Sequence, residues 1–202
     1  MCRTHSPRKR ALAGLTGFLI LCGLVATHTP VGATSVILQG TTNLLDNANS
    51  VVTGTVVSVE ARVRPEHKFI YRYVTVEVSE VLKGTSVAPG QRIVLEELGG
   101  TVDKQTVTVP GVPQFEVGER VLTFLEDRPD GFYRTWGMIQ GKFAFETDPA
   151  IGREILTRPA EWTDTYLASN GEATDLIPIR PDGSFFADPL LDAIRTRIRN
   201  QH

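Results

Sequence analysis

The sequence predicts a mainly β protein: a small antiparallel β-barrel with a short N-terminal helix and a C-terminal helix. Two long segments, Val51–Val63 and Phe69–Leu82, show the period-2 pattern of half-buried antiparallel strands. In the first, one face is predicted to carry Thr55, Val57, Val59, Ala61 and Val63. A third strand-like run, Arg120–Leu125, is followed by Pro129-Asp130-Gly131. Proline presets φ and glycine takes positive φ at no steric cost, so this tripeptide predicts a tight hairpin turn.

The second of these strands contains a break in its alternation. Val74, Val76 and Val78 share one face, whereas Val81 lies on the opposite parity. We expect a β-bulge at Ser79, because an extra residue there restores the burial of Val81. Long bulged strands coil, and coiling is what closes a small barrel.

The remaining strands follow from turn residues and short alternating runs. Gln91–Leu98 and Thr101–Val109 are predicted as the third and fourth strands, and two prolines end the fourth because they cannot donate ladder hydrogen bonds. The hairpin around the tight turn provides strands five and six. Met138–Phe145 continues the sixth strand or forms a seventh, after a kink at Gly137 or Gly141.

A helix is predicted at each end of the folded region. Near the N-terminus, residues 42–50 place Leu44, Leu45 and Ala48 on one helical face, with a Thr or Asn available as the cap. At the other end, Asp188 is predicted as the N-cap of a final helix and the proline after it as a first-turn residue.

The final helix carries one apolar stripe. Leu190, Ile194 and Ile198 lie at i, i+4 and i+8. We expect this stripe to dock on the barrel, because burying each side chain contributes roughly 1.5–3 kcal/mol.

The chain is predicted to divide into three parts. Residues 1–33 form a signal peptide, residues 34–146 the β-barrel domain, and residues 147–202 an irregular C-terminal extension that ends in the helix. Within the extension, Glu161–Ala168 is compatible with a short helix that places Trp162 above Tyr166.

The N-terminus has the pattern of a signal peptide. Arg8-Lys9-Arg10 precedes the apolar run Ala11–Ala26, which is short for a membrane span, and small residues suit cleavage after Ala33. We expect a secreted or periplasmic protein with no membrane span after cleavage. Two alternatives are an uncleaved anchor and a lipoprotein acylated at Cys22, although Leu21 stands where lipid attachment needs a small residue.

Cysteine usage then bounds the chemistry. Cys2 and Cys22 are the only cysteines, and both lie in the predicted signal peptide. The mature protein has to fold without disulfides, which requires a sufficient apolar core. It also has no thiolate ligand for a metal and no cysteine nucleophile. A disulfide-free exported protein fits a bacterial envelope or culture fluid.

The charge of the mature chain is acidic. The predicted signal peptide contains four of the 21 basic residues and no acid, which leaves 17 basic against 23 acidic residues and a formal charge near −6. This balance argues against a surface for nucleic acid or for an anionic membrane.

Three motifs carry a resemblance to known domains. They are V-V-T-G-T-V-V-S-V-E at Val51–Glu60, Y-V-T-V-E-V-S-E-V-L-K-G at Tyr73–Gly84 and F-E-V-G-E-R-V-L-T-F-L at Phe115–Leu125, with Q-G-K-F at Gln140–Phe143. Residues 43–146 resemble bacterial netrin-like or tissue-inhibitor-of-metalloproteinase-like domains. They are also similar to a family of exported bacterial proteins with the same skeleton.

The resemblance implies an OB-like barrel and says little about function, because it covers core and turn positions. Inhibitors of this kind use a mature N-terminal cysteine to chelate the zinc of their target. The predicted new terminus here is Thr34, so no inhibitory residue carries over.

No catalytic, metal or cofactor motif stands out. His67 and His202 are the only histidines after the signal peptide and have no partner pattern. Glu96 and Glu97 are adjacent in a predicted strand and therefore point to opposite faces, which prevents them from acting as a paired acid and base. The serines lie in no nucleophile elbow, and Gly99-Gly100 lacks the helix and lysine of a phosphate loop. We expect no enzymatic activity and no cofactor.

Aromatic residues are the best candidates for a binding surface. They form a candidate platform for a sugar or a peptide, and the alternative is that they cover an open end of the barrel. The five residues are Tyr71, Tyr73, Phe132, Tyr133 and Trp136.

Three functions follow as hypotheses. The first is an exported, non-enzymatic binding module for a protein or a glycan. The second, by fold analogy, is a metalloprotease inhibitor or a protease-associated protein. The third is a hydrolase of unfamiliar type that uses acidic side chains such as Glu96 or Asp103.

Overall fold

A computed structural model describes residues 36–66, 68–159, 167–168 and 174–201. In this part of the chain the protein is mainly β, with a closed five-stranded barrel and two α-helices. No helix among the described residues is long and apolar enough to cross a membrane.

The elements follow one another with short connections. The helices are α1 (Thr41–Asn47), a 3₁₀ helix (Met138–Gly141) and α2 (Ala187–Arg199). The strands are β1 (Val36–Ile37), β2 (Ser50–Val63), β3 (Ile70–Lys83), β4 (Arg92–Leu98), β5 (Gly100–Val102), β6 (Gln105–Val107), β7 (Arg120–Asp127), β8 (Tyr133–Thr135), β9 (Lys142–Thr147), β10 (Glu154–Thr157), β11 (Leu167–Ala168) and β12 (Phe185–Phe186).

The barrel closes in the order β2-β3-β4-β8-β7 and back to β2. Four of these five pairings are antiparallel, and β4 with β8 is parallel through Leu95 and Tyr133. The expectation of an antiparallel barrel is therefore wrong in this respect, because the sheet is mixed. The reason is geometric: strand directions cannot alternate around a ring with an odd number of strands, so one pair has to be parallel.

The coiling of the first two barrel strands depends on bulges. The β2–β3 ladder skips Ser79 between the pairs Thr53–Glu80 and Gly54–Val78, which confirms the predicted bulge position. It also skips Val57, so that Val56 rather than Val57 is buried. The simple alternation predicted for β2 fails at this second bulge, because the extra residue shifts the facing of the strand by one position.

The interior of the barrel is lined by valine and other apolar side chains from β2, β3, β4 and β7. Its buried members include Val52, Val56, Val74, Val76, Val78, Ile93, Leu95, Val121 and Leu125.

Two predicted strands differ from the observed elements. Thr101–Val109 is a short hairpin, β5–β6, because Asp103 takes a φ of 55° at its turn, a conformation that aspartate tolerates. The segment that begins at Met138 opens with the 3₁₀ helix and continues as β9. β9 pairs with β7, and β10 and β12 then extend the sheet away from the barrel.

A second core lies between this sheet extension and the helices. It contains Leu44 and Leu45 of α1, Phe143 of β9, and Leu190 and Ile194 of α2, each at most 1% exposed. The predicted docking of the final helix is confirmed, and Ile198, the third residue of its apolar stripe, is partly buried against the same core.

The helix ends differ from the prediction. Phe186, not Asp188, occupies the N-cap position of α2, and Gly40 that of α1, in both cases without a side-chain cap. β12 leads directly into α2, so that Asp188 lies in the first turn, where its charge still favours the helix dipole. Residues 161–166 of the predicted short helix lie outside the described residues, and 167–168 form β11, parallel to β1.

Candidate functional site

A buried carboxylate organises one outer wall of the barrel. Glu96 on β4 is 1% exposed and lies directly opposite Tyr73 in the β3–β4 ladder. Its Oε1 accepts a hydrogen bond of 2.9 Å from the Tyr73 hydroxyl. Its Oε2 accepts one of 2.7 Å from Arg64 Nη1 and a second from Arg128 Nη1.

The two arginines come from two different loops. Arg64 follows β2, and Arg128 follows β7. Each side chain is about a fifth exposed, whereas the Glu96 side chain is fully buried. One carboxylate therefore ties both loops to the barrel wall, with charge-assisted hydrogen bonds on both of its oxygens.

Asp130 completes this cluster from the turn between β7 and β8. Its carboxylate accepts from Arg128 Nη2 at 2.6 Å and from Arg64 Nη2 at 3.4 Å. Desolvation by itself would raise the pKa of Asp130, but the Phe132 N–H and the two guanidinium groups outweigh it and hold the pKa below its ordinary value. The turn that sequence analysis singled out is thereby anchored to the wall.

The tyrosine in the cluster is held as a hydrogen-bond donor. Desolvation raises the pKa of Tyr73, and the adjacent Glu96 carboxylate raises it further. The ring of Phe132 meets the Tyr73 ring edge to face, with the centroids 5.5 Å apart. The guanidinium of Arg62 lies over the same tyrosine ring, 5.4 Å from its centroid. Both aromatic side chains are therefore fixed in place.

A groove of 310 Å³ opens beside these rings. Val63, Pro65 and Val94 supply its aliphatic lining, and Tyr73 and Phe132 supply the aromatic part. At its rim, Arg62 pairs with Glu60 at 2.5 Å, with both side chains more than half exposed. The groove thus combines an apolar floor with a charged edge.

The structure brings together only part of the predicted aromatic platform. Tyr73 and Phe132 are in contact, and Tyr71 lies on the same face of β3 beneath the Arg64 guanidinium. Tyr133 instead packs against the barrel interior and donates to a backbone carbonyl, and Trp136 packs against the second core. A ligand-binding role for the five residues remains a prediction.

The cationic members of the site were missed by sequence reasoning. Arg64 and Arg128 lie in loops 64 residues apart, and neither belongs to a motif. The one feature that could have pointed to the site is the register of β3 with β4, which places Tyr73 beside Glu96 on one outer face. A carboxylate on a covered face then requires cationic partners.

The acidic pair of β4 points to opposite faces, as its adjacency in a strand predicts. Glu97, which is 3% exposed, accepts the Thr135 N–H at 2.8 Å. Burial raises the pKa of Glu97 to about 7, against the lowering effect of that hydrogen bond. Asp103, the other carboxylate weighed for catalysis, is exposed at the tip of the β5–β6 hairpin.

Among the described residues no group of three or more His, Cys, Asp or Glu side chains is placed to hold a metal ion. His67 and His202 lie outside those residues.

Comparisons of the chain with protein-family models, with curated proteins and with solved structures give no significant match. The likeness to netrin-like domains therefore remains a prediction from the sequence motifs.

Proposed function

We propose that this protein is an exported, non-enzymatic binding module, secreted or periplasmic, whose groove beside Tyr73 and Phe132 takes an apolar polypeptide segment of a partner protein. The observation that carries the proposal is the shared carboxylate of Glu96, which fastens the two loops at the groove to the barrel wall. A surface fixed before binding loses little conformational entropy when a partner docks, and this favours affinity.

The strand order supports an OB type for the barrel. OB folds are five-stranded barrels whose ligands lie on the face of their second and third strands and on the loops between strands one and two and between four and five. The corresponding elements here are β3, β4 and the loops that carry Arg64 and Arg128. The groove occupies that position.

The charges beside the groove favour a polypeptide over a nucleic acid. Arg62 is paired with Glu60, and Arg64 and Arg128 are paired with Glu96. Asp130 pairs with the last two as well, so that three carboxylates face the three cations. The cations are therefore already neutralised, whereas phosphate binding depends on free Lys or Arg.

The lining favours a polypeptide over a glycan. One ring face of Tyr73 lies under a guanidinium and the ring is also met by Phe132, which leaves little flat surface for a sugar. Aliphatic side chains beside Tyr, Phe and Arg are instead typical of the buried centre of protein interfaces. The netrin-like resemblance implies that an exported protease is one candidate for the partner protein.

Site-specific crosslinking tests the proposal. A photoreactive phenylalanine analogue at Val63 on the groove rim, 44% exposed, is compared with the same analogue at Ile151 in the β9–β10 turn, 52% exposed. We expect residue 63 alone to form a saturable adduct with a protein in the native envelope or culture fluid. We expect Phe132→Ser in the same chain to remove the adduct.

Three outcomes would contradict this proposal. Equal adducts at residues 63 and 151 would indicate nonspecific capture, and no adduct at either position would leave the groove without a protein partner. Retention on a neutral oligosaccharide array that is lost with Phe132→Ser would replace the polypeptide with a glycan.

A further inference from the structure

A second pocket lies at one end of the barrel, beneath the β5–β6 hairpin. Its volume is 380 Å³, and it is lined by the inward-facing Val59 and Ala61 of β2 and Arg72 of β3 together with residues of the hairpin. Gly100 brings the hairpin against this wall: an added Cβ would lie 2.9 Å from Arg72 Cγ and 3.0 Å from Ala61 Cβ. The hairpin therefore packs closely against the side chains of Arg72 and Ala61 at this side of the pocket.

Arg72 is a buried cation with incomplete hydrogen bonding. It is 8% exposed, and its Nη2 donates to the Pro113 carbonyl at 3.0 Å. Its Nε has no hydrogen-bond partner among the described residues, and none of their carboxylates forms an ion pair with the guanidinium. Burial lowers the pKa of Arg72, against the raising effect of the Glu97 charge. A buried guanidinium without a paired anion is costly to the fold.

The nearest candidate counter-ion is shared with a second cation and with a backbone N–H. Glu97 stands directly opposite Arg72 in the β3–β4 ladder. Its carboxyl group accepts the Thr135 N–H, and burial raises its pKa to about 7. The charges of Arg72 and of Arg134 both lower that pKa, so that one carboxyl group faces two cations. The positive charge at the pocket wall is thus only partly balanced from within the protein.

The rest of the lining suits an amphiphilic ligand. Val107 and Val109 add apolar surface beside Val59. Thr101 and Thr106 place hydroxyl groups on the hairpin, joined by a hydrogen bond of 2.9 Å. The volume lies in the lower part of the range for small-molecule pockets, about 300–1,000 Å³.

We propose that this pocket binds a small organic carboxylate, with its carboxylate group against the Arg72 guanidinium and its apolar body along the valine side chains. The anion would supply the direct ion pair and the Nε hydrogen bond that Arg72 does not make with the described residues, and planar carboxylate–guanidinium pairing is a strong and specific contact. The same chemistry is offered by a free carboxylic acid and by the C-terminus of a peptide. The site is separate from the groove, because alternate residues of β2 and β3 face opposite sides of the barrel wall.

Calorimetric titration of the mature chain tests the chemistry of the ligand. Hexanoate is compared with hexan-1-ol and hexylamine, and a short peptide ending in valine is compared with its C-terminal amide. We expect saturable binding of hexanoate or of the free peptide, and binding of each uncharged or cationic counterpart at least about tenfold weaker. The peptide pair and hexanoate distinguish the two sources of the carboxylate.

Two variants locate the binding. Thr108→Glu places a negative charge, which repels a carboxylate ligand, on the exposed edge of the pocket. Thr147→Glu is the same substitution at an exposed residue outside the pocket. We expect the first to weaken carboxylate binding about tenfold and the second to leave it unchanged. Arg72→Gln should abolish the preference for the carboxylate over the alcohol.

Several results would overturn the inference. Equal binding of hexanoate, hexan-1-ol and hexylamine would mean that charge plays no part. If no probe binds, the role of Arg72 is structural only, as the donor to the Pro113 carbonyl. Binding unaffected by Thr108→Glu would place the ligand elsewhere. If Arg72→Gln does not fold, the two threonine variants decide the question alone.

Discussion

At the scale of single residues, the adjacent pair Glu96 and Glu97 shows which properties a strand pattern predicts. Their opposite facing follows from the pleat alone. Their burial does not, because Glu96 is covered by arginines from two distant loops and Glu97 is enclosed at the end of the barrel. The two carboxylates consequently differ in chemistry: Glu96 forms ion pairs with two arginines, whereas Glu97 is attracted by Arg72 and Arg134 without an ion pair to either.

The buried Glu97 makes stability depend on pH. Its folded-state pKa of about 7 lies above its ordinary value of 4.5, so folding favours the protonated form. That contribution is complete below the ordinary pKa and is lost as the pH rises through about 7, and its size is about 3 kcal/mol at most.

We expect Glu97→Gln to remove this dependence, because the amide stays neutral and its oxygen still accepts the Thr135 N–H. The Tm of the variant minus the Tm of the wild type should increase from about pH 5 to about pH 8. The matched change Glu116→Gln, at an exposed loop residue, should give a difference that does not change with pH. A flat difference for Glu97→Gln would show that this carboxyl is ionised throughout.

At the scale of elements, α1 shows how a weak local signal becomes a defined helix. It has seven residues, fewer than an isolated helix needs to be stable in water, and its N-cap residue, Gly40, has no side chain to cap it. Asp175, distant in sequence, instead accepts the Thr41 N–H at 2.8 Å. Lys83 at the end of β3 donates from Nζ to the carbonyls of Leu45 and Ala48, both at 2.7 Å. A strand residue distant in sequence thus caps the C-terminal end of the helix.

We expect Lys83→Met to destabilise the protein by about 1.5–3 kcal/mol, because hydrogen bonds from a charged donor to helix carbonyls are lost. Amide hydrogen exchange should show faster exchange at Ala48, whose N–H bonds to Leu44. Lys104→Met, in the exposed β5–β6 turn, should leave exchange and stability unchanged. Unaltered exchange in α1 would mean that burial of its leucines alone holds the helix.

The strands predicted most reliably are those with the longest alternation. β2 and β3 match their predicted ranges within one residue, because many period-2 positions reinforce one another. Thr101–Val109 differs because the turn-forming Asp103 divides it into β5 and β6.

At the scale of the whole molecule, two cores share the same strands. β2 contributes Val51 to the second core and Val52 to the barrel interior. β7 likewise contributes Leu122 to the second core and Leu125 to the barrel interior. Neither core is complete without these strands, so we expect the described fold to unfold as one cooperative unit.

Ile194→Ala tests this coupling. The side chain is fully buried in α2, so its truncation should cost about 2–5 kcal/mol. Hydrogen exchange should weaken together in α2 and in the β3–β4 ladder, with a single unfolding transition. Thr196→Ala, on the exposed face of α2, is the matched control. Loss of protection confined to α2 would show instead that the helix opens independently of the barrel.

The sequence by itself determined the mainly β class, the bulge at Ser79, the turn at Gly131 and the apolar stripe of α2, because each depends on residues close together in the chain. Only the tertiary structure decided the parallel closure of β4 on β8, the convergence of Arg64 and Arg128 on Glu96 and the incomplete hydrogen bonding of the buried Arg72. These features depend on which distant segments meet. Local periodicity carries no information about these long-range contacts, which are set by strand order and by the need to pair buried charge.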